Sequence, residues 1–323
     1  MTKILITPRS VTADGHPALE KLVQAGYEIV MSKPGMMPTT DQLKALLPGC
    51  VGWLAGVETI SADVLASAPD LRVISRNGTG IDAIDLKAAQ QRGVEICRAE
   101  GANARGVAEL AIGLMLALAR SLAFSDAAIK AGGWQRRKGF ELEGKTLGVV
   151  GCGKIGRLVA TLAAGLGMRV IGYDPFAEIS HNPLDLPLVK LDDLIAVSDV
   201  ITLHCPPPQD GGPLLDARRL ALLKPGVLLV NTARHELIDV PALVAALDAG
   251  HVAGAALDVF DAEPPLDRAH LAHDRILATP HIGGFTTESV DRAVDVAVEN
   301  LLDSLPRHSP SDIAGCRQSG ELR

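Results

Sequence analysis

Gly151, Gly153 and Gly156 stand in the spacing G-x-G-x-x-G inside residues 146–174, TLGVVGCGKIGRLVATLAAGLGMRVIGYD. Residues 146–150 read as a strand buried on both faces. The leucines Leu158, Leu162 and Leu166 mark a helix, and residues 168–173 a second strand. In a strand-turn-helix unit of this kind the first glycine permits the tight bend and the second lets a pyrophosphate approach the backbone. The third lets helix and strand pack closely. The helix start, with Lys154 and Ile155, offers free N–H groups and a partial positive charge to that phosphate. Asp174, where the second strand ends, is placed to accept hydrogen bonds from an adenosine ribose and would repel a 2'-phosphate, so the cofactor read from this stretch is NAD. Three later strands end in polar segments: Asn231-Thr232-Ala233-Arg234, residues 258–265 with Asp258 and Glu263, and Thr279-Pro280-His281-Ile282-Gly283-Gly284. Each puts a charged or titratable side chain at the carboxyl edge of a sheet, where the nicotinamide end of the cofactor should lie.

The elements that must position these residues follow from the pattern of the whole chain. Strand and helix signals alternate through the first hundred residues, and repeated β-α units of this length build a parallel sheet with right-handed crossovers. Asn103 is expected to cap a long apolar helix running to about Ser121, with Arg105 and Glu109 one turn apart, and a polar linker at 131–144 leads into the glycine unit. Further strands are expected at 200–204, 227–231, 252–257 and 275–279, then a helix at 286–302 that returns to the first domain. The expectation is α/β, with residues 1–100 and 285–323 forming one domain and 101–284 the other. A cleft would then lie at the strands' carboxyl ends.

Composition narrows the function. At 323 residues the chain can bury two cores, and its net charge of −7 argues against nucleic acid, with Arg136, Arg137 and Lys138 read as a solvated basic run. Cys50, Cys97, Cys152, Cys205 and Cys316 include no C-x-x-C pair, which favours reduced thiols in a cytoplasmic protein. Residues 1–8 lack the apolar core of a signal peptide, and the helix at 108–119 is too short to span a bilayer. His270 and His273 lack a third ligand, so no metal site is expected.

With Asn77-Gly78-Thr79-Gly80-Ile81-Asp82, the glycine loop with Asp174 and the three strand-end segments together, the chain resembles the D-isomer-specific 2-hydroxyacid dehydrogenases, in the phosphoglycerate dehydrogenase-like branch. The resemblance implies a Rossmann-type NAD-binding domain, a flavodoxin-like substrate domain, and a catalytic trio of Arg234, Glu263 and His281. An arginine fork can hold a 2-oxo acid by its carboxylate, a histidine can exchange the carbonyl proton, and a glutamate on the other ring nitrogen fixes the tautomer. It further implies cofactor contacts from His204, Pro206 and Thr232 with Ala233, and from Asp258 and Gly283. Substrate contacts are implied from Arg76, from Asn77 and Gly78 through backbone N–H groups, and from Arg234 and His281. Relatives that use 3-phosphoglycerate present arginine in the loop after the third strand, whereas this loop reads Ala55-Gly56-Val57-Glu58-Thr59. Glycerate, hydroxypyruvate, glyoxylate and 3-phosphoglycerate stay open as substrates. His235-Glu236 stands where many relatives have glycines. The resemblance implies a homodimer, and the long apolar helix, needing cover from another domain or subunit, is expected near the contact. The alternative is a dinucleotide-sensing, corepressor-like interaction protein on the same fold.

Overall fold

Short apolar strands separated by helix-length segments favour parallel pairing, and the computed structural model contains two all-parallel sheets. It describes residues 2–176 and 186–306, so Cys316 lies outside the described residues. The chain divides into two compact units, one combining the residues up to Asn103 with the last helix, the other Ala104–Thr286.

In the first unit β1 (Lys3–Ile6), β2 (Glu28–Met31), β3 (Cys50–Ala55), β4 (Val73–Arg76) and β5 (Glu95–Arg98) lie in the order β2-β1-β3-β4-β5. This is the flavodoxin-like order. Between them run α1 (Arg9–Asp14), α2 (Leu19–Gln24), α3 (Thr40–Leu46), α4 (Ala62–Ala66) and α5 (Leu86–Gln91). α3 is started by a capping box, Thr39 accepting from the Gln42 N–H while the Gln42 side chain accepts from the Thr39 N–H. α1 has no counterpart among the sequence expectations: it follows Pro8 and is only one and a half turns long. The last helix, Thr287–Ser304, buries Val294, Ala297, Val298 and Leu301 against Ile4, Ile6, Leu54 and Val73. That completes the first sheet with residues from the far end of the chain. Gly52 is required by this packing, since a Cβ there would lie 2.9 Å from a Leu305 methyl carbon.

The second unit contains α6 (Ala104–Ala119), α7 (Leu122–Lys130), β6 (Thr146–Val150), α8 (Lys154–Gly165), β7 (Arg169–Tyr173), α9 (Leu191–Val197), β8 (Val200–Leu203), α10 (Ala217–Leu222), β9 (Val227–Asn231), α11 (Val240–Asp248), β10 (Val252–Leu257) and β11 (Ile276–Ala278). Its sheet runs β11-β10-β9-β8-β6-β7, so the strand order reverses between β6 and β8, at the switch point where ligands of open α/β sheets bind. The architecture is Rossmann-type. One face is covered by α6 and α8, through Ala108, Met115, Val159 and Ala163 on Leu147 and Val149. The other is covered by α9, α10 and α11, through Leu194, Leu220 and Leu243 on Ile201 and Leu229.

Three sequence expectations are corrected here. The long helix stops at Ala119, because Ser121 adopts φ 49°, a left-handed conformation that ends a helix; α7 then leaves at 65°. Asn103 makes no cap, its Oδ1 being buried without a hydrogen-bond partner. α6 obtains its cover from its own unit, on β6 and α8. In the basic run Arg136 and Lys138 are exposed, as expected. Arg137 lies 3.6 Å over the Phe124 ring and pairs with Asp274, tying the linker to α7 and to the start of β11. No single helix among the described residues is long and apolar enough to cross a membrane.

Candidate active site

β6 delivers the chain to a turn whose shape depends on its glycines. Gly151 has φ 91°, and a Cβ there would lie 2.5 Å from the His204 carbonyl oxygen. Gly153, the N-cap of α8, has nothing within 4 Å of the position its Cβ would take, so the backbone is open on that side. At Gly156 a Cβ would lie 2.0 Å from the Gly151 carbonyl oxygen, which is how closely α8 packs on the turn. Lys154 is exposed on the first turn, and Ile155 packs against the core beneath. Asp174 braces the loop from β7: one carboxylate oxygen accepts from the Cys152 N–H at 2.8 Å and the other from the Phe176 N–H at 2.9 Å. Burial, with Asp174 nearby, pushes the Cys152 thiol up to about 11, so it stays protonated at neutral pH.

Past β8, His204 shares a 2.8 Å hydrogen bond with Thr202 through Nε2, while its Nδ1 is buried without a partner. Burial holds its pKa down to about 3, so the ring is neutral. Pro206 is exposed on the same turn.

The ends of β9 and β10 and the segment beyond β11 form a second cluster. Asn231 is buried at the end of β9 and folds the turn that follows: its Nδ2 donates to the Arg234 carbonyl at 2.8 Å and its Oδ1 accepts from the Ala233 N–H at 3.0 Å. Arg234 is half-buried and donates from Nη1 to the Ala233 carbonyl at 2.7 Å. The Thr232 hydroxyl is buried without a partner. Beyond β11, His281 Nδ1 lies 2.9 and 2.7 Å from the two Glu263 oxygens. Because the carboxylate accepts, the Nδ1 proton is assigned to this contact, which leaves Nε2 as the ring nitrogen that Glu263 does not engage. His281 is half-exposed. Asp258 is buried and accepts from Thr279 Oγ1 and from the N–H groups of Ile282 and Gly283.

A family sequence model described as D-isomer specific 2-hydroxyacid dehydrogenase, NAD binding domain, matches residues 112–283, more than half of the chain. The chain belongs to the D-isomer-specific 2-hydroxyacid dehydrogenases. Among relatives, a D-3-phosphoglycerate dehydrogenase of Mycobacterium leprae is 42% identical over 265 residues, covering 80% of this chain and 50% of the relative. The chain thus spans about half the length of the curated relatives it matches. Among solved structures, a protein of Thermus thermophilus is 36% identical with a TM-score of 0.83, covering 94% of this chain and 96% of the other. An NAD+-bound 3-phosphoglycerate dehydrogenase of Entamoeba histolytica is 28% identical with a TM-score of 0.78, covering 94% of each.

NAD is the cofactor of this family, and the second unit fits it. The open backbone at Gly153 leaves room at the N-terminus of α8 for a pyrophosphate. The orphaned Thr232 hydroxyl and His204 Nδ1 are buried polar atoms of the kind that a ribose or amide group satisfies. Asp258 and Gly283, assigned to the cofactor by resemblance, are engaged with each other through the Gly283 N–H, and a Cβ at Gly283 would lie 3.1 Å from an Asp258 oxygen.

In the first unit Arg76 ends β4, with Asn77 and Gly78 in the turn beyond. Resemblance assigns their N–H groups to a carboxylate; here the Asn77 N–H donates to the Ala55 carbonyl and the Gly78 N–H to the Arg76 carbonyl, both at 2.8 Å. The tight turn consumes its own donors. Burial draws the Arg76 pKa down from its ordinary value, while the carboxylates Glu58 and Asp82 draw it back up. Glu58 itself is turned inward and buried, accepting from the Gly56 N–H at 2.9 Å and from the Thr7 hydroxyl. His235 and Glu236 face each other at 3.2 Å. Asn231 and Thr279 were visible in the sequence only as polar residues ending apolar strands. Asn231 bonds locally, two and three residues on, as asparagines do in turns, whereas Thr279 bonds Asp258, a pairing that no local spacing specifies.

Proposed function

We propose that this chain is an NAD-dependent dehydrogenase interconverting a small, unphosphorylated 2-hydroxy acid and its 2-oxo acid, of the glycerate/hydroxypyruvate or glyoxylate class. The observation that carries the reading is the His281–Glu263 pair, bonded through both carboxylate oxygens in the same unit as the dinucleotide turn. NADH, when bound, supplies the hydride. Arg234, steadied by its own turn, holds the oxo acid's carboxylate through a planar fork. His281 Nε2 donates its proton to the carbonyl oxygen as C2 is reduced, and Glu263, holding Nδ1–H, stabilises the charged ring in the reverse reaction.

Selection of the acid is assigned to the first unit, through Arg76 and the loop after β3. The absence of a cation from residues 55–59 disfavours a phosphorylated acid. The test is NADH oxidation with hydroxypyruvate, glyoxylate and phosphohydroxypyruvate. kcat/KM for hydroxypyruvate is expected to exceed that for phosphohydroxypyruvate by at least about tenfold, the scale of one missing charge-assisted contact. Failure to reduce any of the three removes the activity, and a preference for the phosphorylated acid removes the role given to the loop.

We also infer a homodimer formed through α7. That helix buries none of its residues, leaving Leu122 54% and Ile129 53% exposed, with Trp134 beyond it 82% exposed. Sedimentation velocity is expected to give the mass of two chains, shifting toward one chain when Leu122 and Ile129 are both replaced by Asp. The free thiols of Cys50, Cys97, Cys152 and Cys205 support a reducing, cytoplasmic setting.

A further inference from the structure

We propose that Thr279 is a positioning residue for His281, acting through the buried carboxylate of Asp258. This rests on the reading of His281 as the proton donor. His281 is in a conformation that its own chemistry does not favour: φ 52°, left-handed, in a non-glycine residue. The turn that puts it there is short. The Thr279 N–H still donates to the Leu257 carbonyl at 3.0 Å, extending the ladder of β10 and β11 by one residue. Pro280 then reverses the chain, and the His281 N–H returns to the Thr279 carbonyl at 2.9 Å, a γ-turn hydrogen bond around a residue whose φ is already fixed by its ring.

Nothing within that turn holds His281 left-handed. What holds it lies on either side. Asp258 Oδ1 accepts from Thr279 Oγ1 at 2.6 Å, before the histidine, and from the Ile282 N–H at 2.9 Å, after it. Oδ2 accepts from the Gly283 N–H at 2.9 Å. One carboxylate therefore brackets the strained residue from both ends, and because Asp258 is 1% exposed, water does not compete for these bonds. Asp258 is itself anchored by its N–H to the Asn231 carbonyl at 3.0 Å, so the clamp is built on the sheet. Thr279 is the member whose side-chain bond can be removed without touching the acid-base pair. Its methyl group keeps the β-branched shape in Thr279→Val, while the hydroxyl alone is kept in Thr279→Ser.

The experiment compares wild type, Thr279→Val, Thr279→Ser and His281→Ala in steady-state hydroxypyruvate reduction across pH, with NADH binding followed by fluorescence. Thr279→Val is expected to lower kcat by about 10- to 100-fold, the cost of a catalytic group misplaced by about 1 Å, and to change the pH profile of kcat. NADH affinity is expected to stay within about threefold of wild type, and Thr279→Ser to recover most of the rate. The proposal is overturned if Thr279→Val keeps wild-type kcat, if its loss is confined to NADH binding, or if Thr279→Ser is no better than Val. Should Thr279→Val be too unstable to assay, Thr279→Ala is judged by the same criteria. His281→Ala separates the two readings. If it stays active, the proton-donor role itself fails; if it is inactive while Thr279→Val is unaffected, only the clamp fails.

Discussion

Replacing His281 by Ala is expected to lower kcat by about a thousandfold, within the range that positioned general acids and bases contribute. The expectation follows from which atoms are committed. Glu263 occupies Nδ1 with both oxygens, at 2.9 and 2.7 Å, and is itself held by the Phe260 N–H at 3.3 Å. That contact orients the imidazole and assigns its tautomer, and in the proposed reaction Nε2 is the atom that meets the carbonyl oxygen. In His281→Ala the reduced alkoxide must find a proton from water, and Glu263 has no ring to bring into place. The imidazole makes no bond to the glycine turn, so NADH affinity is expected to change by less than about threefold. Single-turnover hydride transfer and NADH fluorescence titration check the two halves separately. A variant with wild-type turnover would remove His281 from the mechanism.

Gly156→Ala is expected to be the most damaging methyl group that can be added to the cofactor turn. Its Cβ would lie 2.0 Å from the Gly151 carbonyl oxygen and 3.1 Å from a Val149 methyl carbon, and the first of these is backbone that no side-chain rotation can relieve. α8 must move off β6, carrying the N-terminal N–H groups away from the pyrophosphate. We expect a loss of about 3 kcal/mol, at the upper end of overpacking costs, or a fall of roughly 6–12 °C in melting temperature for a unit of this size. NADH binding is expected to weaken by more than about a hundredfold, because a shift on the scale of 1 Å misaligns every phosphate contact at once. Thermal unfolding and fluorescence titration measure both effects. Gly153→Ala supplies the contrast. With nothing within 4 Å of its Cβ position, it should keep its melting temperature and lose only cofactor affinity.

Much of the scaffold was legible because its causes are local. Apolar runs of strand length alternating with helical repeats favour parallel pairing, and both sheets are parallel throughout. The helix breaks were less legible. The apolar periodicity through residues 104–119 carries no mark that Ser121 turns left-handed, since a serine's φ is settled by what packs around it. The need of α6 for cover was legible, but whether its own sheet or another subunit supplies that cover is a question of distant contacts.

For the chemistry, the sequence alone determined which groups are available and roughly where they sit. Three glycines in fixed spacing, an aspartate closing the next strand, and Arg234, Glu263 and His281 after later strands follow from short-range rules of backbone sterics and strand polarity. The tertiary structure decided how those groups are held and what the substrate loop presents. Glu58 is the one carboxylate in the loop after β3, and the fold turns it inward onto the Gly56 N–H and the Thr7 hydroxyl. The N–H groups of Asn77 and Gly78 donate to the carbonyls of Ala55 and Arg76, the first a contact set by how β3 and β4 meet. Asp258 and Thr279, twenty-one residues apart, meet at 2.6 Å only because β10 and β11 are neighbours. A hydrogen bond between residues distant in the chain depends on sheet order and on the last few tenths of an ångström of packing, and neither is written in the spacing of residue types.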